Sequence, residues 1–226
     1  MLRRALIALL VFVPIFATAT PLVDFDTKPR PGVDFVVLPT PLPTYAKGGK
    51  IEVAEVFSYA CIHCSEFQPV VDAWLKKLPA DVRYEYVPAV FQPVWERFAR
   101  GYFAAKLLGV QPSTHDLVFK AVHQDHVFKM GSLEEIADWY SSHGVNRDKF
   151  LATMQSAQVD ALIAHAKQFA MDTGIEYTPQ IIVAGKYRVN VPGDRPFQNM
   201  FTVTEFLLAK ERAAAAAKPG AGKKRK

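Results

Sequence analysis

The chain has 226 residues, 50 % hydrophobic and 12 % aromatic, enough to bury one good core with room for an inserted subdomain, which excludes a disordered chain or a polytopic membrane protein. Its formal charge of +5 invites a nucleic-acid reading. Seven cations at the two ends carry that excess: Arg3 and Arg4, then Lys218, Lys223, Lys224, Arg225 and Lys226. The body holds 20 basic against 22 acidic residues, so nucleic acid is not an expected partner.

In chain order, Met1 to Arg4 followed by the uncharged, mostly apolar run Ala5 to Ala17 has the charged and apolar regions of a secretory signal peptide. Ala17-Thr18-Ala19 offers the small-x-small cleavage pattern, so residues 1–19 are expected to be removed and the mature chain to start near Thr20. The run is short for a spanning helix, which takes about 20 apolar residues; an uncleaved anchor is the alternative. Export places the chain in an oxidising compartment, where disulfides persist.

Residues 20–50 read as an N-terminal extension and a first strand, Val33 to Leu38, followed by a Pro- and Gly-rich connection. Ile51 to Ser58 is a short, mostly apolar β run. The only two cysteines follow in Cys61-Ile62-His63-Cys64. After them Phe67, Val70, Val71, Trp74, Leu75 and Leu78 mark one buried face of a helix. Pro69 lies inside that helix and is expected to bend it; Pro79 and Asp81 stop it. Val82 to Val87 is the next strand, and Pro88 and Pro93 end the β region.

A helical stretch then runs to about residue 174. Val94 to Leu108 is one helix, Ser113 or Thr114 caps a second reaching about Gln124, and Ser132-Leu133-Glu134-Glu135 is a capping box opening a third. Asn146 and Ser156 cap two more, the last ending at Gly174. Thr178 to Val183 and Lys186 to Val191 bracket Ala184-Gly185 as a hairpin. Asn199 to about Ala213 closes the fold, helped by Thr202-x-x-Glu205. Residues 214–226 have nothing to bury and are expected to form a disordered basic tail, although the alanine run can extend the helix.

The chemistry is expected at the C-x-x-C, which is a redox motif when it joins a strand to a helix. A sulfur at a helix N-terminus gains from unpaired N–H groups and the dipole, which favour the thiolate. Cys61 is therefore the candidate reactive sulfur, and Cys64, one turn in, its more buried partner. A fall of about three units in the Cys61 pKa would favour the reduced pair by roughly 4 kcal/mol. His63, on the same turn, is expected to add to thiolate stabilisation, against the alternative of an exposed histidine without consequence. The loop the pair closes is too small to staple a fold effectively, which favours reactivity over scaffolding.

Glu55-Val56-Phe57-Ser58-Tyr59-Ala60-Cys61-Ile62-His63-Cys64 and Tyr177-Thr178-Pro179-Gln180-Ile181-Ile182-Val183-Ala184-Gly185-Lys186-Tyr187 resemble the thioredoxin superfamily, and within it the bacterial periplasmic oxidases of the DsbA type. The likeness covers roughly residues 33–213. It implies an α/β, thioredoxin-like fold with a mixed central sheet and an inserted all-helical subdomain. Residues 51–92 and 175–213 would be the two halves of the thioredoxin-like domain, with 93–174 as the helical insertion. Ile62 stands where these proteins usually carry proline. The resemblance also implies a cis Thr178-Pro179 bond beside the dithiol, leaving Thr178 backbone groups free to pair with an extended substrate. It suggests for Glu55 a buried acid of raised pKa exchanging a proton with Cys64, with a solvent-facing strand residue, which alternation with Glu52 does not exclude, as the lesser alternative. Gln68 stands where some members carry a second acid, and no role passes to it.

The activity so implied is an exported, monomeric oxidase that donates the Cys61–Cys64 disulfide to reduced, incompletely folded secreted proteins in the periplasm. Reoxidation would come from a DsbB-type quinone-linked membrane protein, and no metal or organic cofactor is needed. A disulfide isomerase or reductase of the same fold is the nearest alternative, and a peptide-binding or chaperone module with an incidental dithiol the more distant one. His123-x-x-His126 has poor spacing for zinc and reads as solvated. Phe91, Trp95, Phe98, Tyr102 and Phe103 read mostly as core, and the resemblance implies that a fraction near the dithiol lines a groove for substrate peptide.

Overall fold

The computed structural model describes residues 28–190 and 195–217; the expected signal peptide and the end of the basic tail lie outside them. The elements are β1 (Phe35–Val37), β2 (Ile51–Phe57), α1 (Ile62–Leu75), β3 (Val82–Pro88), α2 (Pro93–Leu107), α3 (Gln111–His123), α4 (Leu133–Ser142), α5 (Arg147–Met154), α6 (Ala157–Asp172), β4 (Gln180–Val183), β5 (Tyr187–Val189) and α7 (Gln198–Ala216). The strands form one mixed sheet in the order β1-β5-β4-β2-β3. β2 and β3 are parallel, joined by the crossover through α1, and the other neighbours are antiparallel. Helices α2 to α6 are inserted between β3 and β4, as the resemblance implied.

Two apolar clusters sandwich the sheet. Ala54 and Val56 of β2 join Tyr102, Phe119, Ile136, Phe150 and Ile163 of the inserted helices. Val53 joins Phe67 and Val71 of α1 and Met200, Phe201 and Leu207 of α7. Because helices cover both faces, β2 is buried along almost its whole length and does not alternate between core and solvent. Its C-terminal end, the end that aims the cysteines, is thereby fixed from both sides.

Local chemistry sets most boundaries. Ser132 and Glu135 form the expected box: Ser132 Oγ accepts from the Glu135 N–H at 3.1 Å, while Glu135 Oε2 accepts from the Ser132 N–H at 3.2 Å. Asn146 and Ser156 cap α5 and α6 through Lys149 and Val159. Ala184 and Gly185 both have positive φ, 54° and 63°, the geometry of a tight hairpin turn. A Cβ at Gly185 would run into the Leu42 carbonyl oxygen, so only glycine fits there.

Four expectations need correction. α3 begins at Gln111, with Pro112 in its first turn, where the fixed φ of proline suits a helix start. Ser113 and Thr114 are therefore inside it, their hydroxyls donating back to the Val110 carbonyl. α7 begins at Gln198, so Thr202-x-x-Glu205 is not its cap; Glu205 instead accepts from Trp74 Nε1 at 2.7 Å. The alanine run, the best helix-forming composition, carries α7 to Ala216, so residues 214–216 are helical. α1 runs through Pro69 and ends at Leu75, ahead of Leu78, which still packs on the α7-side cluster.

Candidate active site

β2 delivers the chain into a turn at Ser58 that places Cys61 at the start of α1. The Cys61 N–H donates to the Ser58 carbonyl at 3.1 Å, and the Ala60 N–H to Ser58 Oγ at 3.1 Å. Cys61 is the N-cap residue, in extended conformation, and its side chain makes no capping bond. The first helical N–H groups thus carry no side-chain cap, and that of Cys64 donates to the Cys61 carbonyl at 3.2 Å. Cys61 is half-buried and Cys64 fully buried, and the two are present as free thiols. Across from them the Thr178-Pro179 peptide bond is cis, and Cys61 Sγ lies 3.5 Å from the Thr178 carbonyl oxygen.

The two sulfurs differ sharply in acidity. The Cys61 thiol is pulled down to about 5, first by the Cys64 thiol donating to it, against a burial cost, then by the Thr178 side chain and by the N–H groups of Cys64 and His63. Burial, followed by the nearness of Cys61, pushes Cys64 well above the ordinary thiol range. The helix N–H groups expected to dominate thus contribute after the neighbouring thiol. Thr178 Oγ1 is buried and has no partner among the described residues, so it is available to a thiolate at position 61.

His63 does not turn to the sulfur. Its ring is exposed, with Nδ1 3.0 Å from Glu66 Oε2, and only its backbone N–H serves Cys61. Glu55 is 1 % exposed, which removes the solvent-facing alternative, because both faces of β2 are covered. Tyr84 Oη donates to Glu55 Oε2 at 2.6 Å, and burial pushes the carboxyl up to about 8 despite that bond. Its alternation partner Glu52 is buried too, but is compensated by Arg83 Nη2 at 2.8 Å and by the N–H groups of Tyr45 and Ala46. Gln68 is also buried, its amide donating to Asp72 and Tyr86.

Residues with no expected role complete the site. Tyr59 Oη lies 2.7 Å from His115 Nδ1, and the Tyr59 carbonyl accepts from His123 Nε2 at 2.8 Å. His123 is therefore engaged by the redox turn and not simply solvated, while His126 is exposed. The signal was present in the spacing: His115, Phe119 and His123 are four apart and share one face of α3 with its apolar residues. Of the aromatic cluster, Phe98, Tyr102 and Phe103 are core, and Phe91 is exposed, stacked on Trp95 at 5.4 Å. Phe91 lines a cleft with Val90, Met171 and Ile175.

Comparison with known proteins agrees with this geometry. The thioredoxin family model matches residues 47–197. The thiol:disulfide interchange protein DsbA of Pseudomonas aeruginosa is 34 % identical over 210 residues, covering 93 % of this chain and 97 % of its own. That of Azotobacter vinelandii is 37 % identical over 183 residues, covering 81 % and 85 %. The crystal structure of the oxidoreductase DsbA from Xylella fastidiosa superposes with a TM-score of 0.78 at 36 % identity, covering 83 % of this chain and all of its own. With one C-x-x-C of opposed acidities facing a cis-proline in a sheet of this order, the chain belongs to the DsbA family of thiol:disulfide oxidoreductases within the thioredoxin superfamily.

Proposed function

We propose that this oxidoreductase works as an exported, monomeric disulfide donor, passing its Cys61–Cys64 disulfide to reduced, folding secreted proteins in the periplasm. The observation that carries the reading is the opposed acidity of the two sulfurs, one half-buried with a pKa of about 5 and one sealed beneath it and hard to ionise. An easily ionised outer sulfur is a good leaving group, so the reduced protein is favoured and its disulfide is readily given away.

A substrate thiolate attacks the Cys61 sulfur, breaking the Cys61–Cys64 bond and forming a mixed disulfide. Cys64 leaves with the electron pair and, at its raised pKa, takes up a proton. Glu55, still protonated near pH 7 and electrostatically coupled to both sulfurs, is the proposed source. A second substrate thiolate then attacks the first substrate sulfur and expels the Cys61 thiolate, onto which Cys64, Thr178 and the α1 N–H groups converge. The substrate loses two electrons and the dithiol gains them. The ladder between β4 and β2 stops at Gln180, which leaves the backbone of Thr178 to pair with the substrate, with Pro179 offering no competing N–H. A DsbB-type quinone-linked membrane oxidase would restore the disulfide.

Equilibration of the dithiol with glutathione tests the reading. The expected result is a pair far more oxidising than that of thioredoxin, near −270 mV; a value at or below thioredoxin's would favour a reductase. Turnover with a reduced two-cysteine peptide should vanish in Cys61→Ser, and retained activity would reject the donor mechanism.

A further inference from the structure

One helix of the insertion holds a residue of the redox turn at both of its polar ends. Tyr59 is 2 % exposed and lies two residues before Cys61; its hydroxyl meets His115 and its carbonyl meets His123, both from α3. Phe119, midway between the histidines, packs on the Tyr59 ring with centroids 5.0 Å apart. We propose that His115 and His123 are positioning residues for the thiol chemistry: by gripping Tyr59 at hydroxyl and carbonyl, α3 fixes the Ser58–Cys61 turn and with it the place of the Cys61 sulfur among its donors.

The chemistry of His115 argues for this use. It is 4 % exposed and walled by the rings of Phe57, Tyr86, Tyr102 and Phe119. Burial holds it neutral, and burial likewise keeps the proton on Tyr59; that hydroxyl has no other acceptor among the described residues, so the tyrosine donates to Nδ1 and the imidazole proton sits on Nε2. Nε2 has no polar partner among the described residues. An apolar side chain would fill the same space without that desolvation cost, so the bond to Tyr59 is what the histidine adds. His123 makes the complementary contact from a half-buried position, where Nε2–H donates to the carbonyl of the peptide unit leading to Ala60.

The consequence follows from the steepness of hydrogen bonding with distance and angle. The groups that hold the Cys61 thiol down come from three places: Cys64, Thr178 and the first N–H groups of α1. They converge only if the turn entering α1 stays in register with Thr178. Ser58 fixes the turn from within through Ala60 and Cys61, and His123 fixes it from outside. Without the outer contact the turn drifts and the thiolate loses stabilisation.

The inference rests on Cys61 being the reactive sulfur, and the test separates the two. In the full chain, His123→Ala, His123→Gln and Tyr59→Phe are compared with the parent by thiolate absorbance against pH, by equilibrium with glutathione, and by thermal midpoint. His123→Ala is expected to move the glutathione equilibrium about threefold or more toward the disulfide, with a matching rise of about half a unit or more in the Cys61 pKa. His123→Gln, whose amide reaches the same carbonyl, is expected to return both to within about twofold of the parent. Tyr59→Phe keeps the ring and its packing and should shift both in the direction of His123→Ala; it carries the test alone if the alanine variant does not fold. A low parent pKa with His123→Ala unmoved, or with His123→Gln displaced as far as His123→Ala, overturns the positioning role alone. A parent that titrates as an ordinary thiol overturns the donor reading, and this one with it.

Discussion

Two glutamates three residues apart on one strand are both buried, and their partners decide what each can do. Glu52 faces a guanidinium and two backbone N–H groups, a set that balances a negative charge. Glu55 has one neutral hydroxyl, from Tyr84, so the cheaper solution is to keep its proton. A carboxyl whose pKa is raised on folding contributes stability that is complete below its unfolded value, near 4.5, and is lost as pH rises through the folded value of about 8. Glu55→Gln should therefore match the parent near pH 4 and exceed it increasingly as pH rises. The gain in the reduced protein should be on the order of 3 kcal/mol at pH 7, read from urea midpoints. The same variant lacks the proton proposed for Cys64, so its reaction with reduced peptide should slow by roughly tenfold or more. Equal stability profiles for parent and variant would show that the carboxyl is charged in the fold.

At the level of elements, what the sequence discloses divides by range. Caps at Ser132, Asn146 and Ser156 and the Ala184-Gly185 turn are legible because each is settled by a few neighbouring residues. The start of α3 misleads because two local signals compete, and Pro112 in the first turn outweighs the hydroxyls that follow it. The orientation of His63 and the burial of Glu55 depend on what covers them, Glu66 in one case and helices on both sheet faces in the other, so periodicity alone leaves them open. The grip of His115 and His123 on Tyr59 spans 56 and 64 residues and has no local signature beyond a shared helix face. The local class carries a prediction. Ser132→Ala removes the oxygen bound to the Glu135 N–H but leaves the Glu135 carboxylate on the N–H groups of Met130 and Ser132, so half of the box survives. The cost should be about 1 kcal/mol, a fall of roughly 2–4 °C in Tm, with turnover unchanged.

Over the whole molecule, the redox state and the stability of the fold are coupled through one sulfur. The Cys61 thiol has a folded pKa of about 5 against an ordinary value of 9.0, so it is depressed. Its contribution is therefore fully present above the ordinary value and is lost as pH falls through about 5. The oxidised protein has no thiol at that position and no such dependence. At pH 7 two units of the shift are in play, and because about half of the sulfur is screened by solvent the net effect is discounted to on the order of 1–2 kcal/mol. Urea unfolding of the reduced and oxidised proteins at pH 7 and pH 4 measures it as a difference of differences, in which groups common to both states largely cancel. The gap should move by that amount in favour of the oxidised form on acidification, because protonation removes the charge that Cys64, Thr178 and the α1 N–H groups were arranged to hold. A gap that does not change with pH would mean the folded chain gives the thiolate no advantage over the unfolded one, and the driving force for disulfide donation would have to come from strain in the oxidised state.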